Sequence, residues 1–177
     1  MPHAVPTPYE VLDDLCTLLE YRFDRFTGNN ANDEWNRLLA HHLTAAAELW
    51  RLQEAGLALP GGNGVAQDGL LWMDGNAEVG ALAWHWQGDV NDWNLGVLEF
   101  LLQRSARLKV FLTDSKVDFV DERRRQVVQL LAQACPTADV GDVLVVIFSS
   151  GRPTAMAKAT SIVCGCSERA IPRAFTS

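Results

Sequence analysis

Side chains that can do metal chemistry lie around one predicted β-hairpin, residues 68–86 (DGLLWMDGNAEVGALAWHW). Asp68 precedes its first strand, while Glu78 and His85 lie on its second strand. Carboxylates hold the magnesium ion in phosphodiester hydrolysis, so a hairpin that brings two of them together can form a nuclease site. The activity predicted for this chain therefore depends on whether a second carboxylate faces Asp68.

The turn of the hairpin predicts which residues pair across it. Gly75 and Asn76 tolerate the backbone conformations of a two-residue turn, so we expect them to form the loop. Asp74 then pairs with Ala77, and Asp68 lies across from Ala83. Registers shifted by one residue supply no carboxylate either.

The side-chain alternation of the second strand predicts that Glu78 does not join Asp68. Successive side chains of a strand point to opposite faces, which places Ala83 and His85 on one face and Glu78 on the other. A β-bulge would change this assignment, but no residue in the sequence calls for one. Glu48, on the preceding predicted helix, is the other nearby carboxylate. We therefore predict that the second carboxylate is absent.

The order of elements around this hairpin resembles the PD-(D/E)xK superfamily, the restriction-endonuclease-like proteins. In that family the first strand brings Asp, and the second brings Glu or Asp followed two residues later by Lys. Asp68 matches the first position, whereas Ala83 aligns with the acid and His85 with the lysine. The following EFLLQRSARLKVFLTD is similar to the helix and strand that come next in the family. The resemblance covers roughly residues 65–115 and implies a nuclease-like frame whose metal site is degenerate, because alanine cannot ligate.

Helical and strand patterns alternate along the rest of the chain. A capping box at Thr7 opens a first helix, and a second helix is predicted from about Asn32 to Gly56. A helix capped near Asp92 is followed by a strand at 108–113, a helix after Asp118, and strands at 142–148 and 155–164. We expect an α/β fold with a mixed β-sheet flanked by helices, restriction-endonuclease-like, in a single domain of residues 1–177. Its helical N-terminal portion (1–56) is expected to pack on an α/β core at 65–166.

Charge and composition restrict the partners. Residues 1–100 hold 4 basic and 15 acidic side chains, whereas residues 101–177 hold 11 basic and 7 acidic ones, and the whole chain carries −7. Nucleic acid is therefore an unfavourable partner, and the basic run Arg123–Arg125 is interpreted as a solvated helix face. The chain has no apolar segment long enough for a membrane span and no signal-peptide pattern, so a cytoplasmic location is expected. Cys164 and Cys166 form only a lone C-x-C, a weak metal motif whose role stays open.

The function expected from these patterns is a non-catalytic, nuclease-like protein that binds a protein partner or a second copy of itself, without a cofactor. Tryptophans are favoured at protein interfaces, so Trp72, Trp84, Trp86 and Trp93 are candidate surface or pocket aromatics, with the core as the alternative for each. The competing hypothesis is a nuclease dependent on magnesium or manganese, with an active site that has migrated around Asp68. A small-molecule binding protein is a third class, for which no polar constellation is evident.

Overall fold

Seven strands of the described residues form one mixed sheet in the order of the chain. The computed structural model describes residues 5–22, 31–60, 69–85, 95–134, 141–150, 158–164 and 168–174. The helices are α1 (Pro8–Arg22), α2 (Ala31–Leu49), α3 (Gly96–Leu102) and α4 (Val120–Ala134), with a 3-10 turn at Val117–Phe119. The strands are β1 (Gln53–Gly56), β2 (Gly69–Asp74), β3 (Ala77–His85), β4 (Leu108–Lys116), β5 (Asp142–Ser150), β6 (Lys158–Cys164) and β7 (Glu168–Ala174).

The strand directions divide the sheet into three parts. β1, β2 and β3 are antiparallel neighbours, β3, β4 and β5 are parallel, and β5, β6 and β7 are antiparallel again. Parallel neighbours need a crossover connection, and α3 and α4 occupy the two crossovers. The predicted α/β class with a mixed, helix-flanked sheet is confirmed, and so is the buried central strand at Val143–Ile147.

Helices cover both faces of the sheet. Because side chains alternate along a strand, neighbouring residues of the central strands enter different cores. The first core packs α1 and α2 on one face of the sheet and includes Leu15, Leu43, Leu82, Val110 and Val146. The second packs α3 and α4 on the opposite face and includes Ala83, Leu98, Phe111, Val127 and Ile147. No helix of the described ranges is long and apolar enough to cross a membrane.

The start of α1 follows the prediction. The backbone N–H and the hydroxyl of Thr7 both donate to Glu10 Oε2, at 2.7 and 2.9 Å, and the Glu10 N–H donates back to Thr7 Oγ1 at 3.3 Å. This is a complete capping box, which satisfies N–H groups that have no partner inside the helix. The hydrogen bond from the Thr7 N–H lowers the pKa of the Glu10 carboxyl, because it stabilises the charged form.

The end of α2 differs from the prediction, which extended this helix to Gly56. The Leu52 N–H donates to the carbonyl of Ala47 at 2.8 Å, and the Arg51 N–H donates to that of Glu48 at 3.0 Å. These two bonds, with Arg51 at φ 57°, form a Schellman motif that ends the helix at Leu49. A glycine usually occupies the left-handed position of that motif, and here it is an arginine, so the sequence carried no stop signal.

The two outer strands lie outside the predicted core of residues 65–166. β1 was assigned to the second helix, and β7 was not predicted, while the strand expected from residue 155 is described from Lys158. The sequence gives only weak signals for both outer strands. QEAG in β1 has no apolar alternation. ERAIPRA in β7 contains Pro172, and a proline argues against a strand except at the edge of a sheet. The helical N-terminal portion therefore ends before residue 53, and the sheet extends to residue 174.

Candidate functional site

The hairpin of β2 and β3 forms with the predicted turn. Asp74 pairs with Ala77, which confirms Gly75 and Asn76 as the loop. Gly75 has φ 62°, and Asn76 is not among the residues with positive φ. Glycine at the first loop position is typical of a type II′ turn, whose twist matches that of the flanking strands.

A β-bulge shifts the pairing next to this turn. Met73 pairs with Glu78 and Trp72 pairs with Gly80, which leaves Val79 as the extra residue of β3. A Cβ atom on Gly80 would lie 3.0 Å from the Trp72 ring, so the indole packs directly on the glycine backbone. The large ring opposite a residue without a side chain is the sequence feature that accompanies the bulge.

The bulge changes the residue that lies opposite Ala83. The prediction paired Ala83 with Asp68, but its partner in β2 is Gly69. Ala83 is fully buried in the α3–α4 core. Asp68 itself lies outside the described residues, so its distance from any other candidate is not defined. The predicted register is therefore wrong by one residue at this end of the hairpin.

The bulge also moves Glu78 to the face opposite the predicted one. Its partner Met73 packs against the α3–α4 core, and Ala83 belongs to that core as well. The Glu78 carboxylate pairs with the Arg104 guanidinium, whose Nε lies 3.2 Å from Oε2, and it accepts a bond from the Ser105 hydroxyl at 3.4 Å. Glu78 thus shares a face with Ala83 but is held by the segment that follows α3.

The candidate ligands that the structure describes, Glu48, Glu78 and His85, do not converge. β3 rises about 3.3 Å per residue, so the Cα atoms of Glu78 and His85 lie roughly 20 Å apart along the strand. Glu48 is exposed in the last turn of α2. That turn leads into Gln53, which pairs with Met73 at the Glu78 end of the hairpin. In the part of the chain that the structure describes, no group of three His, Cys, Asp or Glu side chains could hold a metal ion.

The two described tryptophans of the candidate set lie in the α1–α2 core. Trp72 is fully buried, its Nε1 donates to the Leu43 carbonyl at 3.2 Å, and its ring packs on that of Trp50 at 5.3 Å between centroids. Trp84 is fully buried as well. Neither indole is a surface aromatic. Trp86 and Trp93 lie outside the described residues, as does Cys166, and Cys164 ends β6.

Polar residues that sequence reasoning did not select are buried on β4 and α4. Lys109 is fully buried, and its Nζ donates to the Ala106 carbonyl at 2.6 Å. Thr113 is fully buried near the carboxyl end of β4, and Arg123 is buried in the first turn of α4. The strand pattern placed Lys109 and Thr113 in a strand, but only the two-sided covering of β4 made them interior residues.

A histidine of α2 has a defined partner on α1. His42 Nε2 lies 2.7 Å from Asp14 Oδ2 of α1, with both side chains partly exposed. This contact joins the two helices of one face, and the adjacent His41 is exposed. The pair links the two helices. Among the described residues, no third His, Cys, Asp or Glu side chain joins it to form a group that could hold a metal ion.

No known family model matches the chain, and no curated protein is significantly similar to it.

Proposed function

We propose that this chain is a nuclease-like protein that does not cleave nucleic acid and acts by binding a protein partner or a second copy of itself. The observation that carries the proposal is the environment of Ala83. This residue takes the position of the family's metal-binding acid in the resemblance, and it is a fully buried methyl group opposite Gly69. An alanine there cannot ligate a metal, and a carboxylate could not be added without burying its charge.

The element order supports the nuclease-like part of the proposal. A helix precedes β1, β2 and β3, which form an antiparallel meander, and α3 then leads to β4, which is parallel to β3. The resemblance implies the same continuation after the hairpin, a helix and then a strand. The site residues are inferred from the resemblance alone, in which Asp68 matches the family's aspartate and His85 takes the place of its lysine.

Two features support binding to a protein. β1 begins the strand order of the sheet and is mostly exposed, so one of its edges faces away from β2. Such an edge offers backbone N–H and C=O groups with which an added strand can pair. The acidic half of the chain, residues 1–100, favours a partner with a basic surface. A second copy would have to overcome the repulsion of two chains with net charge −7.

A nuclease assay tests the catalytic half of the proposal. Purified protein is incubated with single- and double-stranded DNA and with RNA, with magnesium or manganese, beside the Asp68→Ala variant. We expect no cleavage by either protein. Cleavage that is present in the natural chain and lost in Asp68→Ala would establish the competing function, a metal-dependent nuclease with a migrated active site.

The binding half is tested separately. Sedimentation equilibrium reports self-association, and capture from the native host reports other proteins. For a basic partner held by the acidic surface, retention should fall as salt is raised from about 0.1 M to about 1 M, where charges are screened within about 3 Å. A monomer that retains no protein at low salt would contradict the proposal.

A further inference from the structure

Three residues with hydrogen-bond donors lie near the carboxyl ends of β3 and β4 or at the start of α4, the helix that follows β4: His85, Thr113 and Arg123. Thr113 has the least accessible of these groups. Its side chain is fully buried, and within the described ranges its hydroxyl has no hydrogen-bond partner. A buried polar group without a partner costs free energy, so such groups normally meet a ligand, an ion or a water molecule.

His85 lies beside Thr113. The two residues are partners in the parallel pairing of β3 and β4, and neighbouring strands are about 4.8 Å apart. Ala83 and Phe111 belong to the α3–α4 core, so His85 and Thr113, each two residues further along its strand, point to that same face. The imidazole is only partly buried. It therefore lies closer to solvent than the threonine hydroxyl.

Arg123 adds a cation at the same end. It lies in the first turn of α4, and with Val127 and Leu131 it forms the buried stripe of that helix. Both apolar residues pack in the α3–α4 core, so the arginine stem also faces the sheet. Burial lowers the pKa of the guanidinium, and the nearby Glu122 carboxylate opposes that shift. An arginine nevertheless remains charged at neutral pH.

The described acidic side chains at the start of α4 are exposed or pair with other residues of α4 itself. Asp118 and Asp121 are exposed. The Glu122 carboxylate pairs with Arg125 at 2.6 Å and accepts a bond from Gln126 at 3.2 Å, both on α4 itself. The sheet-facing side of the α4 N-terminus thus carries donors, and the helix dipole adds partial positive charge there.

We propose that this end of the sheet binds a small phosphate group, through the Thr113 hydroxyl, the His85 imidazole and the Arg123 guanidinium. All three groups donate hydrogen bonds, and one carries a permanent charge, which suits an oxyanion and disfavours a metal cation. The inference does not depend on the proposed function, because an anion titration and a nuclease assay have separate readouts. It would add a ligand to a protein that is otherwise proposed to bind proteins.

The test is a titration of the protein with inorganic phosphate, in which calorimetry measures binding and thermal unfolding measures Tm. Sodium chloride at equal ionic strength is the control. We expect saturable binding and a rise in Tm that chloride does not reproduce. Sodium acetate is the second arm: equal or tighter binding of acetate would assign the site to carboxylates and overturn the choice of phosphate. No saturable binding of phosphate would overturn the site itself.

Thr113→Val separates the site from a structural role, since valine keeps the shape and removes the hydroxyl. We expect phosphate binding to be about tenfold to a hundredfold weaker, the effect of one hydrogen bond to a charged group. The free protein should keep or raise its Tm, because an unpartnered buried hydroxyl is replaced by a methyl group. Thr44→Val on α2 is the matched control and should leave phosphate binding unchanged. Natural affinity in Thr113→Val, or a lower Tm of the free variant, would refute the inference.

Discussion

Replacement of Gly141 by alanine should destabilise the protein strongly, because two separate constraints act at this residue. Gly141 precedes β5 and has φ 66°, a conformation that L side chains rarely adopt. An added Cβ would also lie far inside contact distance of the Arg107 carbonyl oxygen and 3.0 Å from its carbonyl carbon. That oxygen accepts a 2.7 Å hydrogen bond from the Asp142 N–H, so it cannot retreat without loss.

The magnitude follows from these contacts. The left-handed conformation costs an alanine about 1–2 kcal/mol. If the Arg107 carbonyl moves away, its hydrogen bond from the Asp142 N–H is weakened. Leaving a buried donor or acceptor without its partner costs about 1–3 kcal/mol. Alanine recovers about 0.4–1 kcal/mol by restricting the unfolded chain. The free energy of unfolding should therefore fall by about 3 kcal/mol, and Tm by about 6–12 °C for a chain of this size.

Two other glycines separate the constraints. Gly75 shares the positive φ but has no atom within 4 Å of an added Cβ, so Gly75→Ala should cost only about 1 kcal/mol. Gly56 has neither constraint, and Gly56→Ala should stay within about 0.5 kcal/mol of the natural protein. Urea unfolding followed by circular dichroism measures all three. If Gly141→Ala costs no more than Gly75→Ala, the close approach to Arg107 does not exist in solution.

Two further predictions concern the ends of helices. Arg51 occupies the left-handed position that ends α2, so Arg51→Gly should raise the free energy of unfolding in urea by about 0.5–1 kcal/mol, and a loss would contradict the Schellman geometry. The folded-state pKa of Glu10 is lowered by its bond from Thr7, so its contribution is present above the ordinary carboxyl pKa of 4.5 and is lost as pH falls through the folded value. Thermal unfolding measures the effect of Glu10→Gln at pH 7 and at pH 3. The variant should be less stable than the natural protein at pH 7 and nearly equal to it at pH 3. An equal difference at both pH values would argue against the charged cap.

Local signals in the sequence were sufficient wherever the deciding contacts are close along the chain. The capping box at Thr7 and the loop at Gly75 and Asn76 depend on residues within a few positions, and both occur as predicted. The apolar run at Val143–Ile147 predicted a strand covered on both faces, because such a strand has no polar face to solvate. The interleaving of helices and strands then determined the α/β class.

The register of the candidate site was not a local property. One extra residue at Val79 re-paired the hairpin, placed Gly69 opposite Ala83 and moved Glu78 to the other face. The bulge accompanies the packing of the Trp72 ring on the Gly80 backbone beneath α2, a contact that alternation along one strand does not encode. A shift of one residue changes the face of every side chain beyond it, so a small tertiary preference decided the geometry of the site.

The sequence by itself determined which residue types border the hairpin: Asp68 before its first strand, and Glu78, Ala83 and His85 on its second. Only the tertiary structure decided which polar groups became interior ones. In the sequence, Thr113 is an ordinary strand residue and Arg123 is one member of a charged run. Both are buried because β4 lies between β3 and β5 and α4 packs over it. The burial of a residue depends on all the helices and strands packed around it, whereas the spacing of residue types along the chain predicts only the helix or strand in which that residue lies.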